Sequence, residues 1–368
     1  MPIYMDRHDV SETVTAEHVA QLHQQDLKIQ DQFGCRGLTY WFDDKRKTAF
    51  CLIEAPDEKT LENMHNKAHG QIPNSIIEVD AGIVESFLGR IEDPEKSQKT
   101  VLNIIDEPAF RTIMVMELHE VTVQENDSIL FKDLLNKFNA ALPGILDTYT
   151  GKVVKQARHH YLVSFNSVTN AIRTAIDLNA LFKHFSREIN YTGHLIKIGI
   201  SAGLPVTEKK SIFEDTIKSA ERMCAVINGD IIISSEVKEL YNSENVTAIG
   251  EYKKIITLSP ADENFLHLLM DYTETNWNNG NLKADDFCKP MGISKSQLYR
   301  KMIVLNGKSP NTFIKEYRLT AALQLLNKKA GNISEIAFET GFSSPSYFSK
   351  CFQKRYGLIP SDYISAMN

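Results

Sequence analysis

Long apolar runs and paired cysteines are both absent from this chain of 368 residues. No stretch approaches the roughly 20 apolar residues that a membrane-spanning helix needs. The beginning, MPIYMDRHDVSE, lacks the basic and apolar regions of a secretory signal. The cysteines are odd in number, contain no CxxC pair and are scattered, at Cys35, Cys51, Cys224, Cys288 and Cys351. We therefore expect a reduced, cytoplasmic protein that does not enter a membrane.

Positive charges are outnumbered by negative ones over most of the chain but not at its end. The net charge is −6, yet from Asn276 onward 13 Lys/Arg face 6 Asp/Glu, which gives +7 there and leaves −13 for the preceding residues. The apolar fraction of 42% and the charged fraction of 24% are ordinary for globular domains. A basic end on an acidic body predicts a DNA-binding domain attached to a sensory or scaffolding body.

Strand-like and helix-like runs divide the chain into blocks. Residues 1–80 alternate in the order βαββαβ of the ferredoxin-like split unit. Residues 81–110, which contain the charged run IEDPEKSQK, are expected to be a connector. Residues 111–250 indicate a second α+β domain and residues 261–368 are helical throughout. The predicted fold class is two ferredoxin-like α+β domains followed by an all-helical double helix-turn-helix domain.

The helical end contains two helix-turn-helix signals in tandem. The first, LKADDFCKPMGISKSQLYRKM, runs from Leu282 to Met302, and the second, ISEIAFETGFSSPSYFSKCFQKRYG, runs from Ile333 to Gly357. Each is a short helix, a glycine turn and a second helix with a polar or basic exposed face. That geometry places a helix in a DNA major groove, and the helix FIKEYRLTAALQLL between the units lets one monomer address two successive grooves.

This segment resembles the AraC/XylS family of transcription regulators over about a hundred residues. The resemblance rests on GISKSQLYRKM, GKSPNTFIKEYRLTAALQLL and ISEIAFETGFSSPSYFSKCFQKRYGLIPSDY. It implies that base edges are reached by Ser296, Gln297 and Arg300 in the first recognition helix and by Pro345, Ser346, Ser349 and Lys350 in the second. Arg300 suits a guanine edge and Gln297 an adenine edge. The alternatives are a phosphate contact for Lys350 and, for each of these residues, a solvated surface group.

The first block is dense in metal-binding residue types. His65 and His69 are at positions i and i+4, so they share one helix face and can chelate a single ion, with Cys51 as an added thiolate. The other candidates are Asp6, His8, His18, His23, Asp26, Cys35 and Glu54.

The strings MDRHDV, HQQDLKIQ, TYWFD, FCLIEAP and HNKAHG are similar to a family of small bacterial nickel-binding proteins of ferredoxin-like fold. The resemblance implies a transition-metal site, nickel being favoured. We rank His8, His65 and His69 first and Cys51 next as ligands. The alternative is a packing or dimerisation module in which Cys51 is simply a buried apolar residue.

The middle block resembles class III nucleotide cyclases through MVMELHEVT, GKVVKQARHHYLVSF and FEDTIKSAERMCAVINGDIIISSEV. Cyclase chemistry needs two carboxylates to hold its metal ions. The first position holds Glu117, but the second holds His159, so we expect no enzymatic activity. The resemblance favours a dimerisation module. The alternative is an anion or nucleotide pocket formed by Lys155, Arg158, His159 and Arg222, with His160 beside them.

Together these features predict a transcription regulator that binds promoter DNA as a homodimer and contacts RNA polymerase. Its two N-terminal domains would dimerise and sense a transition metal or another small ligand. Two alternatives from other classes stay open: a bifunctional, metal-dependent cyclase-like enzyme fused to a DNA-binding domain, and a metal storage or delivery module.

Overall fold

The chain folds into two β-sheets followed by a helical C-terminal part. The computed structural model describes residues 1–94, 102–120, 125–157, 159–189, 194–245 and 254–366. Within these ranges no helix is both long enough and apolar enough to cross a lipid bilayer. The predicted fold class, two α+β regions and an all-helical end, is confirmed.

The first sheet has four antiparallel strands in the order β2-β3-β1-β4. Its elements follow one another as β1 (Ile3–Asp9), α1 (Ala16–Ile29), β2 (Arg36–Asp43), β3 (Thr48–Glu54), α2 (Glu58–Ala68) and β4 (Ser75–Val79). This is the ferredoxin-like arrangement that the sequence predicts. Thr15 starts α1 by accepting a hydrogen bond from the His18 amide, which is one half of a capping box.

Both faces of this first sheet are buried. On β1, Tyr4 packs with α1 and α2, while its neighbour Met5 packs with residues of the second domain such as Ile113 and Phe213. Successive strand residues point to opposite faces, so β1 separates these two cores. Residues around Asp6 therefore sit between the helices of the first domain and the rest of the protein.

The segment predicted as a connector, residues 81–110, begins with a helix. Helix α3 (Ala81–Leu88) begins at the cap Asp80 and buries Val84, Phe87 and Leu88. The fully buried guanidinium of Arg111 donates hydrogen bonds to the carbonyl oxygens of Phe87 and Leu88, at 3.0 and 3.2 Å. The helical spacing of these apolar residues is the signal that the charged run after them obscured.

The second sheet has six strands in the order β10-β9-β8-β5-β7-β6. Its elements are β5 (Arg111–Glu120), α4 (Glu125–Thr148), β6 (Lys152–Ala157), β7 (His160–Phe165), α5 (Val168–Glu188), β8 (His194–Gly203), α6 (Glu214–Val226), β9 (Ile231–Ile233), α7 (Ser235–Glu244) and β10 (Ile255–Thr257). The four strands β8-β5-β7-β6 repeat the order of the first sheet, and β9 and β10 extend it in parallel. Strand β9 ends at Ile233 because Ser234 caps α7.

Helix α6 lies between all three regions of the chain. Its residues Ala220 and Cys224 belong to the core that reaches the first sheet, whereas Met223 and Val226 belong to the core of the C-terminal helices. A side chain at Gly199 of β8 would collide with the carbonyl oxygen of Ala220, so α6 packs directly on that strand.

The C-terminal part consists of helices with two separate apolar cores. They are α8 (Pro260–Asn276), α9 (Cys288–Met291), α10 (Lys295–Asn306), α11 (Pro310–Asn327), α12 (Ile333–Glu339), α13 (Pro345–Tyr356) and α14 (Pro360–Ala366). A short 3-10 helix, Ala284–Phe287, precedes α9, so the first helix of the first unit is more irregular than the sequence predicts.

Candidate metal centre and nucleic-acid interface

Two imidazoles and a carboxylate converge at the end of α2. His65 lies in α2, His69 caps it, and Asp26 faces them from α1. Asp26 Oδ1 is 3.2 Å from both His65 Nδ1 and His69 Nε2, and those two ring nitrogens are 3.3 Å apart. Asp26 and His65 are buried and His69 is half-buried. The i, i+4 spacing thus brings both histidines to one point, as the sequence predicts.

His65 is held from its other side as well. Its Nε2 lies 2.8 Å from Asp6 Oδ2 on β1. Burial alone would lower the pKa of His65, but the contacts with Asp26 and Asp6 outweigh it and raise the pKa to about 10. Burial would raise the pKa of Asp6 and Asp26, yet the neighbouring imidazoles hold the pKa of both carboxyls below the usual range. The two carboxylates therefore hold the His65 ring in place through both nitrogens.

A second group of donor atoms adjoins the first through Asp6. It consists of Asp6, His8 and Cys51, whose donor atoms lie within 4.8 Å of one another. Asp6 and Cys51 are partners in the β1–β3 register, and the Cys51 amide donates a 2.9 Å hydrogen bond to Asp6 Oδ1. Burial and the Asp6 carboxylate raise the pKa of the Cys51 thiol well above its usual value. This thiol stays protonated unless a cation replaces its proton.

The structure divides the predicted ligands between these two groups. His65 and His69 belong to the first, and His8 and Cys51 to the second. His18 instead takes part in the cap of α1, and Nε2 of buried His23 lies 3.3 Å from an oxygen of Asp93. Asp6 and Asp26 join the groups through tertiary packing, which local spacing could not reveal.

The first group, Asp26, His65 and His69, fits a first-row transition metal. Imidazole nitrogens suit nickel, copper and zinc, and a carboxylate completes a mixed donor set. Metal–ligand bonds of about 2.1 Å place neighbouring donors roughly 3 Å apart. The observed separations of 3.2 and 3.3 Å already approach that geometry. Asp6 would then be the outer partner that orients a ligating imidazole.

The first recognition helix, α10, follows the turn glycine Gly292, whose φ is +63°. The Ser294 side chain caps the helix by accepting a hydrogen bond from the Gln297 amide. The Gln297 side chain in turn accepts a 2.8 Å hydrogen bond from the Ser294 amide. Ser296, Gln297 and Arg300 are exposed. Gln297 therefore completes a capping box, which the spacing Ser-x-x-Gln could have revealed, and its side chain would have to leave the cap to pair with a base.

The second recognition helix, α13, follows Gly341, whose φ is +77°. A Cβ at this glycine would lie 2.9 Å from the carbonyl oxygen of Asn278, so only glycine fits the turn without displacing the backbone. The residues predicted to reach DNA are exposed or half-buried along one helix: Pro345, Ser346, Ser349 and Lys350.

Arg222, one of the residues predicted to form an anion pocket in the middle domain, contacts α8. Its buried guanidinium donates to Asp271 and Glu274 of α8, at 2.6 and 2.9 Å. His159 packs against the ring of Phe131 at the hairpin between β6 and β7. Lys155 is exposed on β6, and Arg158 lies outside the described residues. Arg222 is thus a contact between domains, because α6 faces α8.

Comparisons with known proteins match both ends of the chain. Residues 4–79 match the family described as nickel responsive protein SCO4226-like, and residues 287–366 match a helix-turn-helix domain family. The resemblances of these ends to nickel-binding proteins and to AraC-type regulators are confirmed. The resemblance of the middle domain to cyclases stays a prediction.

Individual relatives cover only parts of the chain. It is 41% identical over 108 residues to histidine kinase P4 of Formosa agariphila, which is 29% of this chain and 8% of that protein. It is 30% identical over 105 residues to the HTH-type transcriptional regulator MtrA of Neisseria gonorrhoeae, which is 28% of this chain and 33% of that protein. The chain thus spans a third or less of these two relatives. The structure of SCO4226 from Streptomyces coelicolor A3(2) is 28% identical, covering 21% of this chain and 94% of that one, with a TM-score of 0.20.

Proposed function

We propose that this chain is a DNA-binding transcription regulator of the AraC type whose N-terminal domain binds a transition metal as its signal. The observation that carries the proposal is the pair of glycine-turned helix units with exposed polar faces on α10 and α13. The first unit shares its apolar core with α6 of the middle domain and the second unit has a core with α11, so each recognition helix is supported from behind while its outer face stays open to a groove. Such a regulator would act in the cytoplasm, where promoter DNA is found.

DNA binding would use two kinds of contact. Arg300, exposed on α10, offers two parallel N–H donors to a guanine edge in the major groove. Lys350, exposed on α13, offers a point charge suited to a phosphate as well as to a base. The charge of +7 from Asn276 to the end supports the general attraction to the backbone.

Selection of duplexes from a random pool by the full chain tests the DNA-binding proposal. We expect enrichment of a site with two short elements about one helical turn apart, since each unit addresses one major groove. Failure to enrich any sequence at 100 mM salt, while the folded chain retains its thermal transition, would contradict sequence-specific binding.

The metal ion that acts as the signal would be bound by Asp26, His65 and His69. A bound divalent ion would supply positive charge beside the Asp26 carboxylate, and its ligands would come from both α1 and α2. His65 would present Nδ1 to the ion while Nε2–H donates to Asp6, and this hydrogen bond fixes the ring's orientation. Nickel is the ion that the family match favours.

We also propose that the middle domain is not catalytic. A metal-dependent cyclase needs two carboxylates at its metal ions, and His159 stands at the second position. Arg222, the basic residue that the cyclase resemblance implies, is engaged by Asp271 and Glu274 instead. Homodimerisation and contact with RNA polymerase belong to the same regulator proposal, and size measurement of the purified chain tests the first.

A further inference from the structure

Arg222 joins the middle domain to the first helix of the C-terminal part. Its Nη2 donates to Asp271 at 2.6 Å and to Glu274 at 2.9 Å, and its Nη1 lies 3.1 Å from His267 Nδ1. The guanidinium is 8% exposed, whereas the carboxylate residues are 64% and 44% exposed. Arg222 is therefore anchored in the body of the protein, and the partners it holds belong to α8.

Further contacts hold the same helices against the body. The amide of Asn228 donates a 2.8 Å hydrogen bond to the Leu305 carbonyl, and the Asn306 side chain donates to the Val226 carbonyl. The amide of Ser235 donates to Glu263 near the start of α8. The C-terminal end of α10 and two points along α8 are thus fixed to the middle domain.

The apolar contacts place this attachment behind the recognition helix. Leu298 and Met302 of α10 belong to the same core as Met223 and Val226 of α6. Arg300 lies on the opposite, exposed side of α10. The body therefore supports the first unit from the back and leaves its predicted DNA face open.

The end of α8 in turn supports the second unit. Arg318 of α11 donates to the carbonyl oxygens of Trp277 and Asn279, at 2.8 and 2.7 Å, immediately after α8. The second unit has its own core and is linked to the first through α11. The positions of both helix-turn-helix units therefore depend on the position of α8.

We propose that Arg222 is a positioning residue for DNA binding. Its hydrogen bonds to Asp271 and Glu274, which we call the clasp, fix α8, and with it both helix-turn-helix units, on the middle domain. This role does not depend on any part of the protein covering the DNA-binding faces of the recognition helices. The energetic basis of the clasp is a pair of charge-assisted hydrogen bonds in which one partner is buried. The expected effect on DNA affinity rests on the proposed DNA-binding function, whereas the clasp itself can be measured without DNA.

Amide hydrogen exchange of the full chain tests the clasp directly. For Arg222→Ala we expect exchange in α8 and in the end of α10 to accelerate by about tenfold, because charged hydrogen bonds are lost from a docked element. Lys218→Ala is the matched control, since this exposed lysine lies one turn earlier and pairs with Glu214 inside α6. Unchanged exchange in α8 of Arg222→Ala would overturn the proposal.

Two further variants separate positioning from a loss of folding. Asp271→Ala combined with Glu274→Ala breaks the clasp from its exposed side and should reproduce the faster α8 exchange without disturbing the middle sheet. Arg222→Glu with Asp271→Arg and Glu274→Arg restores the charges in reverse and should slow exchange again. If the reversed charges leave α8 as fast as in Arg222→Ala, the side chain acts by packing alone and the clasp is refuted.

Fluorescence anisotropy with the duplex selected by the wild-type chain tests whether the clasp contributes to DNA affinity. We expect Arg222→Ala to bind about tenfold more weakly, because the units are no longer held in register, and the reversed charges to restore affinity. Faster exchange with unchanged affinity would overturn the positioning role. A wild-type chain that binds no duplex would contradict the proposed function and leave the exchange result standing.

Discussion

His65 Nε2 lies 2.8 Å from Asp6 Oδ2, and both side chains are buried between β1 and α2. This contact links the two groups of donor atoms, because Asp6 also lies beside His8 and Cys51. Asp6 thus contacts the His65 ring from outside the first group of donor atoms.

Asp6→Asn should weaken nickel binding without removing a ligand of the first group. Loss of an outer hydrogen-bond partner typically lowers metal affinity about 10–100-fold. Calorimetric titration of the chain with Ni²⁺ measures this directly. His184→Ala, which removes an exposed histidine of α5, is the control and should leave the affinity unchanged. Equal affinities for Asp6→Asn and the wild type would exclude the orienting role.

Nickel should stabilise the wild-type chain and not the His65→Ala/His69→Ala variant. Binding to the folded state alone adds about 2.7 kcal/mol at a hundredfold excess over Kd. Thermal unfolding with Ni²⁺ and with a chelator measures the shift. The double variant should also be purified with less bound metal, and an equal nickel-induced rise in Tm for both chains would place the metal elsewhere.

Arg300→Ala and Lys350→Ala should affect DNA binding in different ways. Loss of a bidentate contact to guanine costs about 1–3 kcal/mol and relaxes the preference at one base position. Loss of a phosphate contact weakens all sequences alike and reduces the dependence of affinity on salt. Repeating the duplex selection with each variant, followed by salt titrations, separates the two. If Arg300→Ala selects the same base sequence as the wild type, Arg300 does not contact a base edge.

Gly341→Ala should destabilise the second unit. The backbone at this turn has a φ of +77°, and the new methyl group would meet the Asn278 carbonyl at 2.9 Å. The left-handed conformation alone costs about 1–2 kcal/mol for a residue other than glycine. Gly144→Ala in α4 is the contrasting control, since a Cβ added there would have no neighbouring atom within 4 Å. It should stabilise the chain by about 0.5–1 kcal/mol in urea unfolding.

The middle domain should form no cyclic nucleotide from ATP or GTP with Mn²⁺. The expectation follows from His159 at a position where a metal-binding carboxylate is needed. Chromatography of the reaction mixture, beside the same mixture without protein, measures it. Cyclic product that disappears in Glu117→Ala would show that one carboxylate suffices and would revive the enzyme alternative.

The sequence predicted what depends on local spacing and missed what depends on packing. His65 and His69 converge because four residues make about one helical turn, so their pairing could be predicted. Asp26 and Asp6 join them from α1 and β1, and no periodicity indicates which of several acidic residues will do so. The turn glycines Gly292 and Gly341 were recognisable for the same local reason as the histidines.

Arg222 shows the limit most clearly. Its position in a cyclase-like segment predicted a role in an anion pocket, yet it contacts α8. Contacts between domains depend on how separate cores meet, and α6 belongs to two of them. Helix α3 was missed for a different reason, since its apolar spacing is a local signal that the charged run after it obscured.

Control of DNA binding by the metal site is tested by the affinity of the full chain for its selected duplex, measured with Ni²⁺ and with a chelator. We expect nickel to change the Kd of the wild type by at least about fivefold, the lower end of ordinary coupling between sites, and to leave the Kd of His65→Ala/His69→Ala unaffected. The same Kd with and without nickel, in a chain that calorimetry shows to bind the ion, would contradict a regulator controlled by its metal site.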